Sequence, residues 1–150
     1  MNENEIADKV IGAAIEVHRH LGPGLLESAY DECLCYELSR NGLSFERQVR
    51  LPIDYKGLRL DCAYRLDLVV ENLLIVELKA VDALLPIHKA QLLTYLRAAE
   101  KHVGLLINFN VSLLKNGIKR VANDFKGPQI KESPRPLRGL RVSALSRESL

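Results

Sequence analysis

The chain has 150 residues, 47% of them hydrophobic and 27% charged, which suits one soluble domain long enough to bury a core. No run of about 18 uninterrupted apolar residues occurs, and the acidic start Met1-Asn2-Glu3-Asn4-Glu5 lacks the order of a signal peptide, so a cytoplasmic protein with no membrane association is expected. The net charge of +2 hides an asymmetry: Gly127 to Leu150 holds five basic and two acidic residues, which leaves the rest slightly acidic and without the global basic footprint of a nonspecific nucleic-acid binder.

In chain order, Ile6, Val10, Ala13, Ala14, Val17 and Leu21 form a helical stripe that Gly22-Pro23-Gly24 ends. A second helix is predicted from Leu26 to Arg40, with Ala29, Cys33, Tyr36 and Leu38 inward, closed by Asn41-Gly42. Glu46 to Tyr55 alternates Val49, Leu51, Ile53 and Tyr55 as a strand; Lys56-Gly57 turns into a second strand, Leu58 to Val70. Glu71-Asn72 leads into a third strand, Leu74 to Lys79. A helix over Ile87 to Lys101, a buried strand over Val103 to Phe109 and a short closing element over Leu113 to Ala122 follow. Residues 1–125 read as one domain. From Lys126 the chain is Pro- and Arg-rich without periodicity, and 126–150 reads as a disordered tail. The cysteines Cys33, Cys35 and Cys62 are not spaced as a zinc site and read as small core residues in a reducing compartment. No nucleophile elbow, phosphate-binding loop or dinucleotide fingerprint is present.

Charge stands where core strands should have none. Asp67 interrupts the second strand; Glu77 and Lys79 interrupt the third and share one of its faces. Buried charges require partners or a metal. Two arrangements satisfy that: an ion pair of Asp67 and Glu77 with Lys79, or a divalent cation held by the two carboxylates. The cation imposes a condition on register. A two-residue turn sets Asp67 opposite Val76 and sends Glu77 to the other face, whereas an odd connection or a bulge sets Asp67 opposite Glu77.

Asp67 followed by Glu77-Leu78-Lys79 resembles the D…ExK signature of the PD-(D/E)XK nuclease superfamily. Gly24-Leu25-Leu26-Glu27-Ser28-Ala29-Tyr30 resembles the pattern that names its GxxExxY branch, and Leu85 to Leu96 and Gly104 to Asn110 also resemble segments of that branch. The resemblance covers about Ile6 to Ala122. It implies a restriction-endonuclease-like α/β core of order ααβββαβ, a mixed central sheet flanked by helices. It also implies Mg²⁺, with Mn²⁺ as an alternative, on Asp67, Glu77, the Leu78 carbonyl and Glu27, and hydrolysis of phosphodiesters in DNA or RNA. Lys79 would orient the attacking water or stabilise the transition state. Gln91 and Tyr95, one turn apart on a helix, resemble the superfamily's QxxxY element beside the acidic pair. Tyr30 either bonds into the site or packs, and Arg65 either neutralises a carboxylate or contacts phosphate. The rival reading is a nuclease-like fold serving as a non-catalytic binding or accessory module. Protein partners stay open, self-association among them.

Overall fold

In this computed structural model residues 1–124 are described, apart from the side chains of Cys62 and Ala63. The tail expected over 126–150 lies outside the described residues. Three helices, α1 (Glu3–Leu21), α2 (Glu27–Arg40) and α3 (Pro86–Ala99), surround five strands: β1 (Phe45–Tyr55), β2 (Leu58–Val70), β3 (Leu74–Lys79), β4 (Val103–Asn108) and β5 (Ile118–Ala122). The closing element expected after residue 113 is a 3-10 turn, Leu114–Gly117, followed by β5.

The sheet runs in the order β1-β2-β3-β4-β5. Every neighbouring pair is antiparallel except β3 and β4, which are parallel and joined through α3. α1 and α2 cover one face through Ile6, Val10, Ala14, Tyr30, Leu34 and Leu38, against Leu68, Val76, Leu78, Ile107 and Phe109. α3 covers the other through Leu92, Tyr95 and Leu96, against Val69, Ile75 and Leu106. β3 lies in the middle with both faces packed, which is why its sequence is an almost unbroken apolar run.

α2 corrects one expectation. Its buried residues are Tyr30, Leu34, Cys35 and Leu38, whereas Tyr36 is 60% exposed. The stripe Tyr30, Leu34, Leu38 follows four-residue spacing and carries far more apolar area than Ala29 and Cys33.

β1 and β2 are much longer than the rest of the sheet requires. β2 pairs with β3 only over Leu68 to Val70, so residues 49–66 form a two-stranded ribbon that runs past β3. The ribbon twists where it leaves the sheet. Leu68 packs toward α1 and α2 while Leu66 packs toward α3, and Gln48 in β1 takes a positive φ of 52°. Asp67 sits at that change of face.

Candidate active site

The turn between β2 and β3 decides what Asp67 can meet. Glu71 and Asn72 both adopt left-handed φ values, 53° and 56°, and the Leu73 N–H closes the turn on the Val70 carbonyl at 3.0 Å. Leu73 is the odd residue: the ladder resumes with Val70 opposite Leu74, Val69 opposite Ile75 and Leu68 opposite Val76. Non-glycine residues rarely hold such φ values without support. Here the Glu71 carboxylate accepts hydrogen bonds from the Ser44 N–H (2.7 Å) and hydroxyl (3.0 Å), which pins the turn to the start of β1.

Continued one step, this register sets Asp67 opposite Glu77. The ladder stops there and side chains take over. The Asp67 N–H donates to Glu77 Oε2 at 2.9 Å, and the Leu78 N–H donates to Asp67 Oδ2 at 2.8 Å. Each carboxylate thus bonds the opposite strand where the two backbones part. Glu77 is only 5% exposed. Burial, then the Asp67 charge, pushes its carboxyl up to about 8. Burial likewise raises Asp67, against the Leu78 N–H, which favours its ionised form.

The surroundings come from both helical layers. Glu27, at the surface in the first turn of α2, is raised by partial desolvation and then by the Asp67 charge. Tyr95 on α3 is pushed up to about 12 by burial first and the Glu77 charge second. Its ring tilts against that of Tyr64 with centroids 5.4 Å apart. Gln91 lies one turn before Tyr95 on α3, half-buried. Lys79 ends β3 on the Glu77 face; it lowers both carboxyl groups electrostatically but lies within 4.0 Å of no carboxylate oxygen among the described residues. A closed ion pair of Asp67 and Glu77 with Lys79 is therefore not formed. Arg65 is exposed and contacts neither carboxylate.

Tyr30 points elsewhere. Fully buried, it stacks on Phe109 with centroids 4.5 Å apart, donates its hydroxyl to the Gly22 carbonyl at 2.6 Å and accepts from the Leu25 N–H at 3.2 Å. It fastens the Gly22-Pro23-Gly24 turn, in which Gly22 and Gly24 take φ of 66° and 100°. Asn110 holds the same turn by accepting from the Gly24 N–H at 3.1 Å. Tyr30 therefore positions Glu27 and does not touch the acidic pair. Tyr30→Phe should cost about 1–3 kcal/mol in chemical denaturation, since it strands a half-buried carbonyl and N–H, and leave divalent-ion binding unchanged.

Sequence reasoning passed over Asp31, one turn after Glu27 on α2, which raises both Glu27 and Asp67 electrostatically. Asp31 is engaged by Arg47 at 3.4 Å and by the Cys35 thiol. The four-residue spacing of Glu27 and Asp31 was the available signal. His88, close to Gln91, accepts from the Leu85 N–H and caps the start of α3.

Among the described residues no three acidic, histidine or thiol side chains converge into a ready-made cation site. The Asp67 and Glu77 pair nonetheless suits a hard divalent ion. Asp67 Oδ2 and Glu77 Oε2 take backbone N–H groups, and the two carboxyl groups lie close enough to share a hydrogen bond while one holds its proton; a cation would take that proton's place, and one or two carboxylates completed by water and phosphate are enough for Mg²⁺. The groups that raise each carboxyl would be offset by positive charge at that point.

No helix of the described residues is long and apolar enough to cross a membrane. No curated protein and no solved structure matches the chain significantly. The family model for the PD-(D/E)XK nuclease superfamily, however, matches residues 4–121, spanning both helical layers, all but the last residue of the sheet and the Asp67–Glu77 pair, and the chain belongs to that superfamily.

Proposed function

We propose that the protein is a Mg²⁺-dependent nuclease of the GxxExxY type that hydrolyses phosphodiester bonds in DNA, with RNA as the second substrate to test. The observation that carries this reading is the reciprocal placement of Asp67 and Glu77, one half-buried and one buried carboxyl group held opposite each other by a turn of odd length. Stability alone gives no reason to set two carboxyl groups there, since burial disfavours the ionised form of each. The GxxExxY assignment is supported by Gly24, Glu27 and Tyr30, which build one turn and the helix start beside the pair.

When bound, the ion acidifies a water and offsets charge on the phosphate. Asp67 and Glu77 would hold it, with the Leu78 carbonyl and Glu27 as further oxygen donors. Lys79, paired with no carboxylate among the described residues, orients the attacking water or meets charge developing on the phosphate. Gln91 and Tyr95 line the α3 side and position the substrate. The lack of a closed Lys79 ion pair leaves that ammonium available to a substrate anion.

A second reading, a nuclease-like module that binds without cleaving, is favoured by the absence of a third converging ligand among the described residues and by the near-neutral charge of the domain. Titration calorimetry with Mg²⁺ and Mn²⁺, run beside cleavage assays on single-stranded, duplex and branched substrates, separates the two. Wild type should bind the ion and cleave. Asp67→Asn should lose both, and Lys79→Ala should keep ion binding while losing about 10²-fold or more in rate. Ion binding without cleavage of any substrate selects the module; no ion binding defeats the site.

A further inference from the structure

The β1–β2 ribbon places two arginines in direct opposition. Arg50 pairs with Arg65 across the strands, so the two side chains leave the same face with Cβ atoms roughly 5 Å apart. Like charges so placed destabilise a hairpin unless an anion lies between them. Elsewhere Arg19, Arg47 and Arg59 each reach a carboxylate, but Arg50 and Arg65 reach none among the described residues. Arg50 donates only to the Asp61 carbonyl, at 3.2 Å, and both guanidinium groups are exposed.

Position gives the pair its meaning. Tyr64 and Leu66 pack toward α3, so Arg65, between them in sequence, leaves the opposite face of the ribbon. Asp67 follows Arg65 by two residues on the same strand, about 7 Å further along, so the arginine pair stands immediately beside the acidic pair. The edge of β1, unpaired among the described residues, is a poor template for another strand. Pro52 lacks an N–H, and the register shifts between Leu51 and Ile53, both of which blunt edge pairing. The ribbon is therefore built to be used through its side chains. Residues 49–66 carry four basic and two acidic side chains, in contrast to the acidic pair at the ribbon's root.

We propose that Arg50 and Arg65 form a clamp for a nucleic-acid backbone, gripping a phosphate next to the one brought to Asp67 and Glu77. The proposal rests on the nuclease reading for the identity of its ligand, not for the binding itself. Guanidinium forks match phosphate oxygens in a bidentate manner, and an anion between the two arginines removes their repulsion. The grip also offsets the repulsion that a polyanion meets at two carboxylates.

The test is fluorescence anisotropy of labelled duplex and single-stranded DNA across a NaCl series in EDTA, where cleavage is suppressed. The Arg50→Gln/Arg65→Gln double variant should bind about tenfold or more weakly, with a log–log salt slope shallower by about 1–2. Its melting temperature should not fall, since repulsion is relieved, and its melting response to Mg²⁺ should match wild type. Arg65→Gln alone, which removes no hydrogen bond, should show the same direction if the double variant folds poorly. Wild-type affinity and slope in these variants would overturn the clamp, as would failure of wild type to bind DNA. Displacement of the DNA by polyglutamate as effectively as by unlabelled DNA would instead assign the pair to an acidic protein. Asp67→Asn tells the two proposals apart: it should lose the Mg²⁺ response yet keep DNA binding, so either reading can fail without the other.

Discussion

Glu77→Gln should raise the melting temperature of the metal-free protein at pH 8 by on the order of 10 °C and abolish its response to Mg²⁺. The Glu77 carboxyl is pushed up to about 8 by burial and by the Asp67 charge. A group whose folded pKa exceeds its unfolded value of about 4.5 lends stability fully below the unfolded value and loses it as pH rises through the folded one. Metal-free wild type should therefore lose stability steadily between about pH 4.5 and pH 8, by a few kcal/mol in all. Asp67, raised by its own burial, adds loss in the same sense. The glutamine amide keeps the shape, still accepts from the Asp67 N–H and can donate to its carboxylate. It removes the titration and with it the anionic donor. Mg²⁺ should flatten the wild-type profile, stabilising by about 2.7 kcal/mol at a hundredfold excess over its dissociation constant, and more strongly at pH 8 than at pH 5 because protons compete. Thermal melts at several pH values, with and without Mg²⁺, read all of this. A pH-independent melting temperature in wild type would mean that Glu77 is not held as described.

Asn108→Ala should be strongly destabilising, costing about 3–5 kcal/mol. Asn108 is 1% exposed, and its amide makes three bonds: Oδ1 accepts from the Val81 N–H at 3.0 Å and the Asn110 N–H at 3.2 Å, and Nδ2 donates to the Val81 carbonyl at 2.9 Å. It ties the segment after β3 to the end of β4, beside the Phe109 N–H that donates to the Lys79 carbonyl at 2.9 Å. Truncation strands the Val81 and Asn110 N–H groups and leaves the Val81 carbonyl only the longer bond from Asn110 Nδ2, at 3.4 Å. Urea denaturation should show a lowered midpoint, and Mg²⁺ affinity should fall as the end of β3 loosens. A loss under about 1 kcal/mol would show that water replaces the amide readily.

Much of this architecture was legible before the structure because its signals are local. Gly22-Pro23-Gly24, Asn41-Gly42 and Lys56-Gly57 punctuate the chain, and the apolar run of β3 marks a strand covered on both faces. The register condition on Asp67 and Glu77 was also legible, though not its answer. Whether Leu73 enters the turn depends on the Glu71 carboxylate reaching Ser44, 27 residues earlier. Other features escaped for the same reason. Strict alternation along β1 and β2 fails at Gln48 and Asp67, where the ribbon leaves the support of the sheet and twists. Asp31 acquires its role from a helix packed across β2, and the repulsion between Arg50 and Arg65 exists only once strand pairing is known. Asn108 and Asn110 stand in a segment that reads as a buried strand end, yet their amides hold turns that are remote in sequence.

The fastening of Tyr30 to Gly22 and Leu25 changes what the GxxExxY pattern can certify. Its glycine and tyrosine hold a corner together, and a chain that had ceased to cleave anything would need them just as much. Asp67 and Glu77 are the opposite kind of residue, since their charges work against folding in the absence of an ion. An inactive descendant could shed those charges and become sturdier. Among proteins carrying this pattern, a sound diagnosis of activity would set the corner aside and ask whether the unfavourable carboxylates have been kept.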